Sequence, residues 1–167
     1  MKEMTKANLS AAFAGESQAH IKYLVFADIA EREGLPNIAR LFRAASFAEQ
    51  IHATAHLRAL GGTNDTVKNL QAAIGGETFE VDEMYPAYLA TAKEQQEKGA
   101  TVTMERALEA EKVHAQLYTR AKQAAEARQD VALKVIHVCE VCGWTVEGDA
   151  PDKCPLCGAP ASRFRKF

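Results

Sequence analysis

Two short segments of the chain read Glu-x-x-His: EQIH at 49–52 and EKVH at 111–114. Residues three apart share a helix face, so Glu49 with His52, and Glu111 with His114, can each offer a carboxylate and an imidazole in one direction. Two further glutamates, Glu16 and Glu77, each follow a glycine. The remaining chemistry-bearing group is cysteine. Cys139-x-x-Cys142 and Cys154-x-x-Cys157 are separated by 11 residues, and each pair is followed by glycine, Gly143 and Gly158. Two such pairs make a four-thiolate tetrahedral site, and the glycine allows the turn that aims backbone N–H groups at sulfur. Spacing leaves zinc and iron both open for that site.

The acidic and imidazole groups are related by an internal repeat. Displaced by 61, NLSAAFAGE (8–16) falls on NLQAAIGGE (69–77); displaced by 62, AEQIHA (48–53) falls on AEKVHA (110–115). Each half therefore supplies one glutamate on its first helix and a Glu-x-x-His on its second. The separations, 33 residues from Glu16 to Glu49 and 34 from Glu77 to Glu111, put the groups at comparable heights. This is the ligand pattern of a dinuclear iron or manganese carboxylate site in a helical bundle. Four carboxylates in an apolar interior would cost several kcal/mol each without cations, and oxygen with imidazole nitrogen suits iron or manganese better than a soft metal.

The elements that must position these groups follow from composition. Residues 1–134 are rich in Ala, Glu, Leu, Gln and Lys, good helix formers, whereas 135–167 hold all four cysteines, the only tryptophan (Trp144) and three of five prolines. The sequence thus divides into a helical domain, 1–134, and a small metal-stapled domain, 135–167, too short to fold on its own apolar surface. Glycine and proline punctuation at Gly34-Leu35-Pro36, Gly61-Gly62 and Gly99 predicts helices over 4–33, 36–60, 65–98 and 101–130, with a kink or break at Gly75-Gly76. The expected class is mainly α: a four-helix bundle followed by a metal-knuckle domain with short β-strands, its small core made by Trp144, Phe164 and Phe167. The net charge of −2 gives no basic footprint for nucleic acid, and no apolar run reaches membrane-spanning length. Without a signal-like N-terminal stretch the expected location is cytoplasmic, where thiols stay reduced.

In combination, GESQA (15–19), GETFE (76–80), EQIH, EKVH and CEVCG…CPLCG resemble the rubrerythrin family over essentially the whole chain. The resemblance implies a ferritin-like di-iron bundle fused to a rubredoxin-like domain, and hydrogen peroxide reduction in a homodimer. It assigns seven di-iron ligands: Glu16, Glu49, His52, Glu77, Glu80, Glu111 and His114. It also assigns a single iron to Cys139, Cys142, Cys154 and Cys157. Glu80, three residues after Glu77, would reach the iron served by Glu16, Glu49 and His52 and exchange with His52 upon reduction. Charge counting agrees, since five carboxylates overbalance two ferrous ions but not two ferric ions. Tyr23 and Tyr85 match tyrosines beside the irons in that family; either could bond a ligand carboxylate or simply fill space. Glu83 is a weaker candidate for the role of Glu80. His20 and His56 are expected at the surface or beside the ligands, and His137 at the surface with the basic tail of Arg163, Arg165 and Lys166.

The implied reaction is a peroxidase cycle, with the four-cysteine iron returning electrons from an external NAD(P)H-linked reductase or rubredoxin. His114 lies about 16 residues before the end of the last predicted helix, roughly 24 Å at ~1.5 Å per residue. That distance leads us to expect a head-to-tail homodimer in which each cysteine domain serves the partner's bundle. A ferroxidase or iron-storage protein, or a zinc-ribbon interaction protein, are the alternatives.

Overall fold

The computed structural model describes residues 1–167. The chain forms two compact units, 1–64 and 65–167.

The first unit is a helical hairpin of α1 (Glu3–Arg32) and α2 (Pro36–Ala59). Gly34, at φ +75°, ends α1: its N–H bonds Glu31 O, and Leu35 N–H reaches back to Ala30 O at 2.9 Å. This is the glycine-dependent left-handed stop, and Pro36 then starts α2 with its ring-fixed φ. Small residues (Ala27, Ala30, Ala39, Ser46 and Ala53) line the buried seam, so the two backbones approach closely. Across it Ser46 Oγ donates to His20 O, and His20 Nδ1 lies 2.9 Å from Ser46 Oγ. His20 is thus half-buried and engaged in the seam, not at the surface.

The second unit begins at Asp65, whose side chain accepts the Lys68 N–H at 2.9 Å and caps α3 (Thr66–Phe79). The helix then widens into a π-helical turn, Glu80–Met84, before continuing as α4 (Tyr85–Glu94). The expected break at Gly75-Gly76 does not occur: both glycines lie inside α3, and the irregularity falls four residues later. Nor does Gly99 mark the next turn. Gln96, at φ +57°, makes it, and Gly99 lies inside α5 (Lys98–Glu126). Helix propensity reports such glycines as weak points, but tertiary context decides whether they break.

After α5 the chain makes a three-stranded antiparallel sheet of β1 (Ile136–Cys139), β2 (Thr145–Glu147) and β3 (Phe164–Lys166), in the order β2-β1-β3. Its small core is Cys139, Cys154 and Ala159 with Trp144, Leu156 and Phe164; Trp144 meets Phe164 edge-on at 6.2 Å. Phe167 is not part of it. That ring is 67% exposed and carries the Arg165 guanidinium 5.2 Å above it. His137 is not a free surface residue: it is half-buried, its Nδ1 2.7 Å from Gly148 O. No helix is long and apolar enough to cross a membrane.

Candidate metal centres

In the knuckle, Gly143 and Gly158 both adopt left-handed backbone (φ +79° and +76°), and their N–H groups close the turns onto Cys139 O and Cys154 O at 2.8 Å. The four sulfurs lie within 4.8 Å of one another, with Cys139–Cys157 and Cys142–Cys154 both at 3.6 Å and no disulfide formed. Thiolates about 2.3 Å from one ion stand ~3.8 Å apart at tetrahedral vertices, so the arrangement fits a metal. The thiols are unequal. Burial pushes Cys142 up to about 12, whereas at Cys154 burial is outweighed by the N–H groups of Cys157 and Leu156, which draw it down to about 7. A bound cation removes the conflict by taking all four as thiolates.

The carboxylates and imidazoles gather as two groups, one in each unit. In the first hairpin Glu16, Glu49 and His52 have ligand atoms within 4.8 Å, with His52 Nδ1 2.9 Å from Glu49 Oε2. In the second unit Glu77, Glu111 and His114 do the same, with His114 Nδ1 2.6 Å from Glu111 Oε2. The i,i+3 spacing on α2 and α5 produces both pairs. Burial, a hydrogen bond with Glu111 and repulsion from Glu111 and Glu80 push the Glu77 carboxyl up to about 7. Converging acceptors of this kind are satisfied only by shared protons or by a cation, and that donor chemistry fits iron.

Glu80 stands in neither group, yet its carboxyl is pushed up by burial and by Glu111 while His114 pulls it down. The wide turn has therefore placed it over the second cluster. Glu83, in the same turn, is exposed. Tyr85 is raised by burial and by Glu80, Glu111 and Glu77, which puts its phenol beside the carboxylates. Tyr23 instead packs against Phe26 and Phe42, at 6.2 and 6.1 Å. His56 is half-buried. Sequence reasoning missed Tyr118, whose ring lies 6.5 Å from that of His114 and whose phenol is raised by burial, Glu77 and Glu111. The signal was available: Tyr118 is one turn beyond His114, on the same face.

The distance expectation is also corrected. The segment after α5 doubles back, so that Thr145 Oγ1 lies 2.8 Å from His114 Nε2 of the same chain, and Arg120 on α5 pairs with Glu147 at 2.7 Å. The rise along the helix is cancelled by the return of the chain.

The family profile for rubrerythrin matches residues 7–122, and that for the rubredoxin-like domain of rubrerythrin matches residues 137–165. The chain belongs to the rubrerythrin family. Rubrerythrin-2 of Clostridium acetobutylicum is 39% identical over 178 aligned positions, covering 98% of this chain and 97% of the relative. Nigerythrin of Nitratidesulfovibrio vulgaris is 36% identical over 98% of this chain and 86% of its own length. Solved structures of mixed-valence and fully reduced, all-ferrous nigerythrin align with TM-score 0.56 at 34% identity, covering 98% of this chain and 86% of that one. In a rubrerythrin-family chain the two Glu/His groups and the four-cysteine knuckle are the donor sets of a ferritin-like di-iron site and a rubredoxin-like iron site, on a mainly α fold with a small C-terminal sheet.

Proposed function

We propose that the chain is a peroxidase that reduces hydrogen peroxide to water and protects against oxidative stress. The observation that carries this reading is the contact between a four-cysteine knuckle and one of two matched carboxylate–imidazole clusters. The ligands are Glu16, Glu49, His52, Glu77, Glu80, Glu111 and His114 for two irons, and Cys139, Cys142, Cys154 and Cys157 for a third. When bound, the irons supply the two electrons by which hydrogen peroxide and two protons become two waters.

The protein's own part is to hold ligands and protons. In the metal-free chain Glu77, its carboxyl pushed up to about 7, shares a proton with Glu111 that a bound cation displaces. Tyr85 and Tyr118, pushed up by burial and the surrounding carboxylates, remain phenols and present hydrogen-bond donors to that cluster. Glu80 opens the π-helical turn, a local widening of the kind often found at functional sites. Residues 1–134 form the catalytic domain in this reading and 135–167 the electron-entry domain. The donor is an external rubredoxin or NAD(P)H-linked reductase, and the setting is the cytoplasm. A homodimer remains the expected assembly, though a knuckle that touches His114 of its own chain does not need a head-to-tail partner to reach the carboxylates.

The test is anaerobic loading with ferrous iron, then mixing with hydrogen peroxide or dioxygen. Peroxide should oxidise the iron faster, one molecule per chain, and sustain NAD(P)H consumption when a reductase is added. Faster oxidation by dioxygen with accumulation of iron beyond three per chain would establish the iron-storage reading instead.

A further inference from the structure

The last strand of the small domain carries charge that the rest of the chain does not answer. Arg163, Arg165 and Lys166 fall within four residues, the only window of that length in the sequence to hold three cations, and residues 161–167 contain no acidic group. The net charge of −2 is therefore made of +3 on this short segment and −5 on everything else. Arg165 and Lys166 are exposed and make no ion pair, and Arg163 approaches Glu140 only to 3.9 Å, between side chains 53% and 47% exposed.

Strand β3 is an edge. It pairs with β1 through His137–Lys166, Val138–Arg165 and Cys139–Phe164, and no strand lies on its other side. Successive side chains alternate, so Arg165 and Lys166 charge both flanks of that edge. The Phe167 ring, 5.2 Å beneath the Arg165 guanidinium, holds it in place and so lowers the ordering cost when a partner engages it. The segment is also fastened to the first cysteine loop, where Glu140 N–H donates to Arg163 O at 2.9 Å. Both unpaired cations stand opposite residues within two of Cys139, about 7 Å along the strand at ~3.4 Å per residue. Cys139 and Cys154 are buried, whereas Cys142 and Cys157 are part-exposed, with Val141 48% exposed beside Cys142. An apolar spot at the accessible cysteines thus adjoins a cationic rim.

Redox encounters use small interfaces, under about 1,200 Å². Complementary charge speeds such encounters by about 10–1,000-fold while leaving the complex short-lived. An acidic protein approaching this chain is repelled by most of it and drawn to the one segment with +3. Three cations are too few for duplex DNA, which its binders hold through about 6–10 phosphates.

We propose that β3 and the first cysteine loop form the docking edge for an acidic one-electron carrier protein: Arg163, Arg165 and Lys166 steer it, and Val141 seats it against Cys142. One electron passes in each encounter, oxidising the carrier by one and reducing the knuckle by one, with no bond made and no proton moved. The inference rests on the reading of residues 135–167 as the electron-entry domain, and not on which oxidant the carboxylate clusters consume.

The experiment uses the full chain with flavodoxin, a strongly acidic protein whose flavin hydroquinone gives up one electron. With zinc in the ¹⁵N-labelled chain, oxidised flavodoxin at about 10 mM salt should shift the amide signals of residues 140–143 and 163–167 and leave those of β2 in place. With iron in the chain, the second-order rate at which reduced flavodoxin bleaches the ferric knuckle should fall at least about tenfold between about 10 mM and about 0.5 M salt. Arg165→Glu/Lys166→Glu should lower the low-salt rate at least about tenfold, approach the natural chain at high salt, and keep the four-thiolate absorption and reduction potential. Lys2→Glu/Lys6→Glu, which has the same net charge, should stay within about threefold of the natural chain. Rates indifferent to salt or to Arg165→Glu/Lys166→Glu, an equal loss in the control, or shifts centred on β2 overturn the proposal. Self-association of the reversed variant with its rate intact also overturns it, since the charges would then only guard an open strand edge. So does single-stranded DNA that binds this edge more tightly than flavodoxin does. Should the reversed variant lose its four-thiolate absorption, Arg165→Gln/Lys166→Gln decides: a loss of at least about threefold supports the proposal and no loss overturns it. A chain that docks flavodoxin here yet leaves hydrogen peroxide unconsumed overturns the peroxidase reading alone, and one that consumes it with this edge indifferent overturns the docking edge alone.

Discussion

Glu77 offers the sharpest quantitative handle. Its carboxyl titrates at about 7 because burial, a hydrogen bond with Glu111 and the charges of Glu111 and Glu80 all favour the protonated form. A divalent cation entering the cluster must displace that proton. With a titration point near 7, Glu77 is about 90% protonated at pH 6 and about 10% at pH 8, so binding releases ~0.9 proton from this group at the lower pH and ~0.1 at the higher. The corresponding affinity falls by about tenfold for each pH unit below 7 and levels off above it. The sign for stability is opposite. Between the ordinary carboxylate range and pH 7 the folded metal-free chain holds a proton that the unfolded chain has lost. Metal-free stability therefore declines as pH rises through that window and is flat beyond it. The assay titrates the full chain, its knuckle already filled with zinc, with Mn²⁺, which prefers carboxylates and does not displace zinc from thiolates. Proton release is measured at pH 6 and pH 8 for the natural chain and for Glu77→Gln, which cancels contributions from histidine. A difference between the two proteins that is the same at both pH values would refute the reasoning.

Other outcomes follow from the same geometry. Glu49→Ala and Glu111→Ala each open one cluster and should reduce bound iron below two per chain outside the knuckle, with peroxide consumption falling by at least 100-fold; iron analysis and a peroxide assay check both. Cys154→Ser removes the thiol drawn down to about 7 and should abolish the visible absorption of ferric tetrathiolate while leaving the carboxylate-bound irons in place. Gly143→Ala meets open space at Cβ, so only the backbone at φ +79° resists it. A strain of about 1–2 kcal/mol should lower knuckle metal affinity by about 5–30-fold in a chelator competition, with helical circular dichroism unchanged.

What could be read from the amino-acid order, and what could not, divides along physical lines. The pairing of Glu49 with His52 and of Glu111 with His114 is a consequence of helical pitch, and two Cys-x-x-Cys-Gly turns carry their own geometry. The π turn was present too, unread. The repeat runs at 61 from Glu16 to Glu77 but at 62 from Tyr23 to Tyr85. One extra residue therefore enters between Glu77 and Tyr85, where Glu80–Met84 widens to absorb it. The glycine pair at 75–76 drew attention to the wrong place because glycine reports tolerance of a break, not its need. Thr145 and Tyr118 escaped for different reasons. Thr145 meets His114 only when the chain after α5 folds back, a long-range event with no local pattern, whereas Tyr118, one turn beyond His114 on the same face, was legible from helical pitch and passed over. Phe167, apolar and terminal, looked like core but stacks with Arg165 in solvent.

The single residue inserted at Glu80–Met84 has a consequence for the bound metals themselves. Without it the donors of the two units would stand at one constant offset along the chain. With it the second hairpin alone possesses a fifth acidic group at ligand level, and only its imidazole is anchored from behind. The two carboxylate-bound irons of such a chain are distinguishable, so a Mössbauer spectrum of the all-ferrous protein should resolve three quadrupole doublets of equal area, two from these irons and one from the knuckle.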